Sequence, residues 1–147
     1  MRQVRLPDKL SDLLELAVAD CLEVEAEGKH EFDMTVYYER LNGHCAVCMA
    51  GAVMLRRLPH EESAIFVRTD NWGAKTQKKL QAIDDMRNGG FYAAADRLGL
   101  SQLGVLEAAK RLIDETYTNF DDDWSKLGRA PWPIYLEAAD MLRQAGL

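Results

Sequence analysis

The chain has no surplus of positive charge: 18 Lys and Arg stand against 24 Asp and Glu over 147 residues, a formal net charge of −6. That balance speaks against a protein whose main business is gripping phosphate backbones, though it leaves room for a local basic patch. Cysteine is scarce and odd in number, three in all. This fits free thiols in a reducing cytoplasm better than a disulfide framework. No apolar run approaches the roughly 20 residues that a membrane span requires. The opening Met1-Arg-Gln-Val-Arg-Leu-Pro-Asp-Lys9 offers neither an apolar h-region nor a cleavage site. A Walker loop, a G-x-G-x-x-G turn and a G-x-S-x-G elbow are all missing, as is any tandem repeat, linker or low-complexity tract. The expectation is a cytoplasmic protein without a recognisable cofactor.

What is present is globular. Hydrophobic content of 48% with 29% charged residues is too apolar for disorder, and the length predicts one domain, 1–147, with a sizeable core. Charge is uneven: through Asp33 there are nine acids against four bases, and fifteen against fourteen thereafter. The excess belongs to the N-terminal helix. Pro7 and Asp8 open that helix, Leu10, Leu13, Leu14, Ala17, Val18, Cys21 and Leu22 follow helical spacing, and Gly28 is a natural stop.

The densest stretch is Gly43-His-Cys-Ala-Val-Cys-Met-Ala-Gly-Ala-Val-Met-Leu-Arg-Arg-Leu58. From Cys45 to Leu55 it carries no charge, so a helix formed there would be apolar all round and buried at the centre of the fold. Asn42-Gly43 supplies a turn and a cap before it, Arg56 and Arg57 suit its C-terminal dipole, and Pro59 ends it. The expected fold is therefore a mainly α, single-domain helical bundle around a buried central helix, with room for one short antiparallel strand pair. Residues 31–38 and 64–68 are the candidates for that pair, and runs so short do not separate strand from helical lead-in.

Further on, a helix capped by Asp70-Asn71 runs to about Arg87 with Trp72, Thr76, Leu80, Ile83 and Met86 on its core face. Gly89-Gly90 breaks the chain. A short helix from Phe91 to Leu98 ends at Gly99, and Ser101 caps a longer one carrying Leu106, Ala109, Ile113 and Tyr117. The last helix starts at Pro133 and presents Ile134, Tyr135, Ala138, Met141, Leu142 and Ala145.

Two constellations carry chemistry. On a helix, His44, Cys45 and Cys48 would converge near its N-terminus, and Cys21 or His30 would complete a tetrahedral zinc site. The same placement would lower the Cys45 pKa and suit redox exchange. Against both, no second ligand pair exists, no βαβ setting surrounds the motif, and cysteine packs readily as a small hydrophobe. The second is a helix–turn–helix unit over 91–111, in which Ala95, Gly99 and Val105 have the spacing of small residue, turn glycine and β-branched core residue, with Leu98, Leu100 and Ala108 at apolar positions. Its candidate DNA contacts are Gln102, Lys110 and Arg111. Both cations come late in the would-be recognition helix, where base-edge readers are wanted early.

Weaker features read as structure. Lys75, Lys78 and Lys79 form a solvated face, Asp121 to Asp123 lack the calcium-loop spacing, Asp84 and Asp85 cannot share one helix face, and His60-Glu61-Glu62 lacks a second histidine. Trp124 and Trp132 are expected to pin the last helix to the core.

Met34-x-x-Tyr37, Cys45-Ala-Val-Cys-Met-Ala-Gly-Ala-Val-Met54, Lys79-Leu-Gln-Ala-Ile-Asp-Asp-Met-Arg-Asn-Gly89 and the closing Leu-x-x-Ala-Gly-Leu147 together resemble a family of small uncharacterised phage and prophage proteins with a C-x-V-C-(L/M)-A-G-A-V-M central helix. The chain departs from that pattern at Tyr37, where tryptophan is expected, and at Met49, where leucine is expected. The resemblance implies a phage-encoded cytoplasmic protein and carries no activity with it. With no catalytic set in view, the expected function is a non-enzymatic accessory factor that binds a host or phage protein, with self-association open. The alternatives are a DNA-binding regulator using 91–111 and a small zinc- or thiol-dependent protein using Cys45 and Cys48. Neither a cofactor nor a membrane is expected as a partner.

Overall fold

The computed structural model describes residues 5–27, 30–32, 38–41, 44–47, 49–58, 66–67, 72–87, 89–100, 103–120 and 132–147, with the strands, residue 103 and residues 116–120 as backbone. The molecule is mainly helical. Helices α1 (Leu10–Glu27), α2 (Met49–Arg57), α3 (Ala74–Arg87), α4 (Phe91–Arg97), α5 (Leu103–Phe120) and α6 (Trp132–Gln144) enclose the core. Among the described residues, four short strands, β1 (His30–Phe32), β2 (Tyr38–Leu41), β3 (His44–Val47) and β4 (Phe66–Val67), form a small sheet in the order β1-β3-β2-β4.

The sheet is larger than the single expected pair. Strand β4 does run antiparallel to β2, with Tyr38 opposite Val67. Strand β3, however, lies between β1 and β2, parallel to the first and antiparallel to the second. This corrects the start of the central helix, which begins at Met49 and not near Cys45. Leu41 pairs with His44, so only Asn42 and Gly43 separate β2 from β3. Asn-Gly between two such segments is a hairpin signal before it is a helix cap. An inner strand, paired on both sides, carries an uncharged run as readily as a buried helix does.

From Met49 onward the helical expectation holds. Met49, Ala50, Gly51, Ala52, Val53 and Met54 are all buried, so every side of the first turn and a half of α2 meets protein. Arg56 is exposed and Arg57 half-buried in the last turn. Helix α1 packs against α2, α3 and α6. Its buried arc is Leu10, Leu13, Leu14, Ala17, Val18, Cys21 and Val24, while Leu22 lies outside, 46% exposed. Leu22 directly follows Cys21, so 100° of helical turn carries it off the arc, and Val24, three residues after Cys21, takes the inner position.

Helices α1 and α6 run antiparallel. At one end Trp132 Nε1 donates to Glu25 Oε2 at 2.9 Å, and at the other Ser11 N–H donates to the Leu147 carbonyl at 3.2 Å. Tyr135 turns its hydroxyl onto the Arg87 carbonyl at 2.8 Å and so satisfies an open acceptor at the end of α3. Two glycines bend the chain between the middle helices. Gly89 (φ +79°) ends α3, with Gly89 N–H bonded to Met86 O and Gly90 N–H to Asp85 O. Gly99 (φ +69°) ends α4 in the same way, through Leu100 N–H to Ala95 O. Both are Schellman closures, whose left-handed residue favours glycine.

Candidate functional site

The metal expectation places His44, Cys45 and Cys48 on one helix, and residues His44–Val47 form strand β3 instead. His44 and Cys45 are consecutive in β3. Cys45 is in register with His30 on β1 and with Arg40 on β2, whereas His44 is in register with Leu41. Cys48 lies outside the described residues. Cys21 is in no disulfide and is fully buried on the inner arc of α1. Among the described residues, no group of three or more His, Cys, Asp or Glu is placed to hold a metal ion.

The helix–turn–helix expectation finds its elements but not its packing. Helix α4, the Gly99 turn and α5 follow one another as expected, with Ala95 buried. A DNA reader of this kind would bury the positions of Val105 and Ala108 against its first helix. Here Val105 is half-buried and Ala108 exposed, and Leu106, Ala109 and Ile113 take the inner side. Helix α5 turns that stripe inward because it packs on α6 as well as α4. Of the candidate contacts, Lys110 is bonded to Asp114 of its own helix, Arg111 is exposed, and Gln102 lies outside the described residues. Beside them, Glu107 accepts a hydrogen bond from Tyr92 at 2.9 Å, and this holds the phenol above its usual pKa. Among the described residues, the outward surface here is thus of mixed sign.

Sequence reasoning missed the buried ionic ties. Asp20 has a side chain only 2% exposed, and Arg57 grips it with Nε to Oδ2 at 2.7 Å and Nη2 to Oδ1 at 3.0 Å. Arg56 stands 3.7 Å away from the same carboxylate and reaches Glu27 at 3.1 Å. Burial raises the Asp20 pKa, and the guanidiniums of Arg57 and then Arg56 offset only part of that. Lys79 was expected in solvent, yet it is buried. Its Nζ donates to the Leu6 carbonyl at 2.7 Å and to Asp8 at 2.9 Å, and it holds the Asp8 carboxyl below its ordinary pKa. Asp84 and Asp85 do face different partners, Arg87 and Arg97. The Arg87–Asp84 pair lies within α3, three residues apart; the other contacts join helices to each other or to the N-terminal segment, and the partners of the longest are 73 residues apart. No short-range pattern announces them.

The surface feature that sequence did foresee is the acidic face of α1. Asp12, Glu15, Glu23, Glu25 and Glu27 are all exposed. Neutralisation is incomplete. Arg143 faces Glu15 at 2.6 Å, Asp140 at 3.2 Å and Asp12 at 3.4 Å, one cation among three carboxylates. Trp132 meets Glu25 with a neutral donor. Trp132 itself is buried and pins α6 to α1, as expected, while Trp124 lies outside the described residues.

No protein-family model, no curated protein and no solved structure matches this chain.

Proposed function

We propose that the chain is a non-enzymatic accessory protein of phage or prophage type, acting in the cytoplasm by binding a host or phage protein. One observation carries this reading: the surplus of negative charge is exposed along α1, where Asp12, Glu15, Glu23, Glu25 and Glu27 all reach solvent. An acidic surface of this kind steers association and selects partners. The buried ionisable groups support the same reading. Asp20 and Lys79 are each engaged by neighbouring elements, so they serve packing and are not poised for proton transfer.

Capture from a bacterial lysate tests it. The expected result is a discrete partner whose retention falls as salt rises, because exposed charges are screened over about 10 Å at 0.1 M. Failure to retain any protein, together with turnover in a broad substrate screen, would overturn the reading. A gel shift across salt separates the rival of a DNA-binding regulator. A sequence-preferring shift with a steep salt slope, lost in Gln102→Ala with Lys110→Ala, would establish that rival.

A further inference from the structure

The register of α1 against α6 isolates a short apolar seam on the acidic face. Trp132 bonds Glu25 at one end and Arg143 bonds Glu15 at the other. Between those bridges, each helix exposes one leucine. Leu22 lies one turn before Glu25 and two turns after Glu15, and Leu136 lies one turn after Trp132 and two turns before Arg143. They are 46% and 37% exposed, although every other leucine described on these two helices is buried or partly covered. Ala19 and Ala26 flank Leu22 at helical spacing and are exposed as well. Small residues beside one large apolar side chain let a third helix come within the 8–10 Å of ordinary helix packing.

The charge around the seam decides what such a helix must carry. Arg143 is outnumbered by Asp12, Glu15 and Asp140. Arg56 is shared between Glu23 and Glu27, Asp20 being buried and held by Arg57, and Glu137 is exposed one residue after Leu136. A second copy would bring the same sign, and so would nucleic acid or an anionic membrane. We infer that the α1–α6 seam is a docking site for a basic amphipathic helix, whose apolar face covers Leu22 and Leu136 and whose Lys or Arg residues meet the surrounding carboxylates. This rests on the protein-binding reading above and gives it a surface and a partner chemistry. The recognition mode is an apolar stripe laid into a groove between helices, with charge setting register and selectivity.

The test uses the full chain and three labelled synthetic peptides at 0.15 M salt. One is an 18-residue Leu/Lys peptide with leucines at helical spacing, one replaces each Lys with Glu, and one scrambles the Leu/Lys order so that no apolar face exists. The expected result is saturable binding of the first peptide, at least tenfold tighter than either control. Leu22→Ala with Leu136→Ala should weaken it at least tenfold with an unchanged far-UV spectrum, and Tyr92→Ala, on α4, should leave it unchanged. Equal binding of the scrambled peptide, indifference to the leucine variant, or no binding of the first peptide would each overturn the docking site. Photo-crosslinkers at position 22 and position 92, used in a bacterial lysate, distinguish that failure from failure of the wider reading. Crosslinks only at 92 would refute the seam and leave protein binding standing, and crosslinks at neither, with no captured partner, would remove both.

Discussion

Arg57 closes on Asp20 as a two-pronged fork, each guanidinium nitrogen within 3.0 Å of its own carboxylate oxygen. The pair ties the last turn of α2 to the middle of α1, so the C-terminus of the buried helix is fixed by charge where its apolar face ends. Asp20 is 2% exposed and Arg57 30%, so the carboxylate is the member that depends on its partner. Removing one half of a buried pair strands the other and costs about 3–5 kcal/mol. Because Arg56 stays near and Arg57 is partly solvated, Arg57→Ala is expected at or below the lower end of that range in urea denaturation. Asp20→Leu with Arg57→Leu should recover most of the loss, since an apolar pair of similar size leaves no charge behind. A double variant as unstable as Arg57→Ala would show that the fork contributes more than charge satisfaction.

The two shifted carboxylates give stability profiles of opposite slope. Asp8 has its pKa lowered by Lys79 and then Arg5. Its contribution is complete above the ordinary carboxylate value and is lost as pH falls through that value towards the depressed one. Asp8→Asn should therefore lower the thermal midpoint at pH 7 and cease to matter in strong acid. Asp20 has its pKa raised by burial. Its contribution is present below the ordinary value and is lost as pH rises through the raised one. Subtracting the profile of Asp20→Asn from that of the parent chain should leave a term that falls as pH climbs. A flat or rising term would mean that the guanidiniums outweigh burial.

Helix α2 offers a packing test. Ala50 is fully buried, with the rest of its first turn buried around it. Ala50→Leu adds volume where no side faces solvent and should cost about 1–3 kcal/mol. The same change at Ala26, exposed on α1, should stay within about 0.5 kcal/mol. Urea midpoints compared at equal m-values would measure both.

The helical frame was legible because helices announce themselves locally. Pro7 and Asp8 before α1, the arc from Leu10 to Cys21 and the glycines at 89 and 99 each act within a turn or two of their own position. The sheet was less legible, since β1 and β3 pair in parallel across residues 30–47 and each is too short to show a period. Asn42-Gly43 held the information, yet the same dipeptide also fits a helix cap, and only pairing on both sides of β3 decides between them. Lys79 and Asp20 were illegible for another reason. A lysine among lysines and an aspartate in an acidic helix look solvated until a distant partner is in place. Leu22 erred in the opposite direction, apolar and near the stripe but one step past its edge.

Ser11 provides the sharpest remaining test of burial without satisfaction. It lies in the first turns of α1, 1% exposed, and its backbone N–H is used by the Leu147 carbonyl. Its hydroxyl Oγ has no hydrogen-bond partner among the described residues. A buried polar atom left unpaired costs about 1–3 kcal/mol relative to one that is satisfied or absent. Alanine removes that atom and is also the better helix former, by up to about 0.7 kcal/mol. The cavity left by one oxygen is small, so the gain should exceed the loss. Ser11→Ala is thus expected to raise the urea midpoint with an unchanged m-value, the reverse of the usual outcome for a core substitution. A destabilised variant would mean that the hydroxyl finds a partner in solution, and hydrogen exchange at the Leu10 to Leu13 amides would show whether the turn opens to supply it.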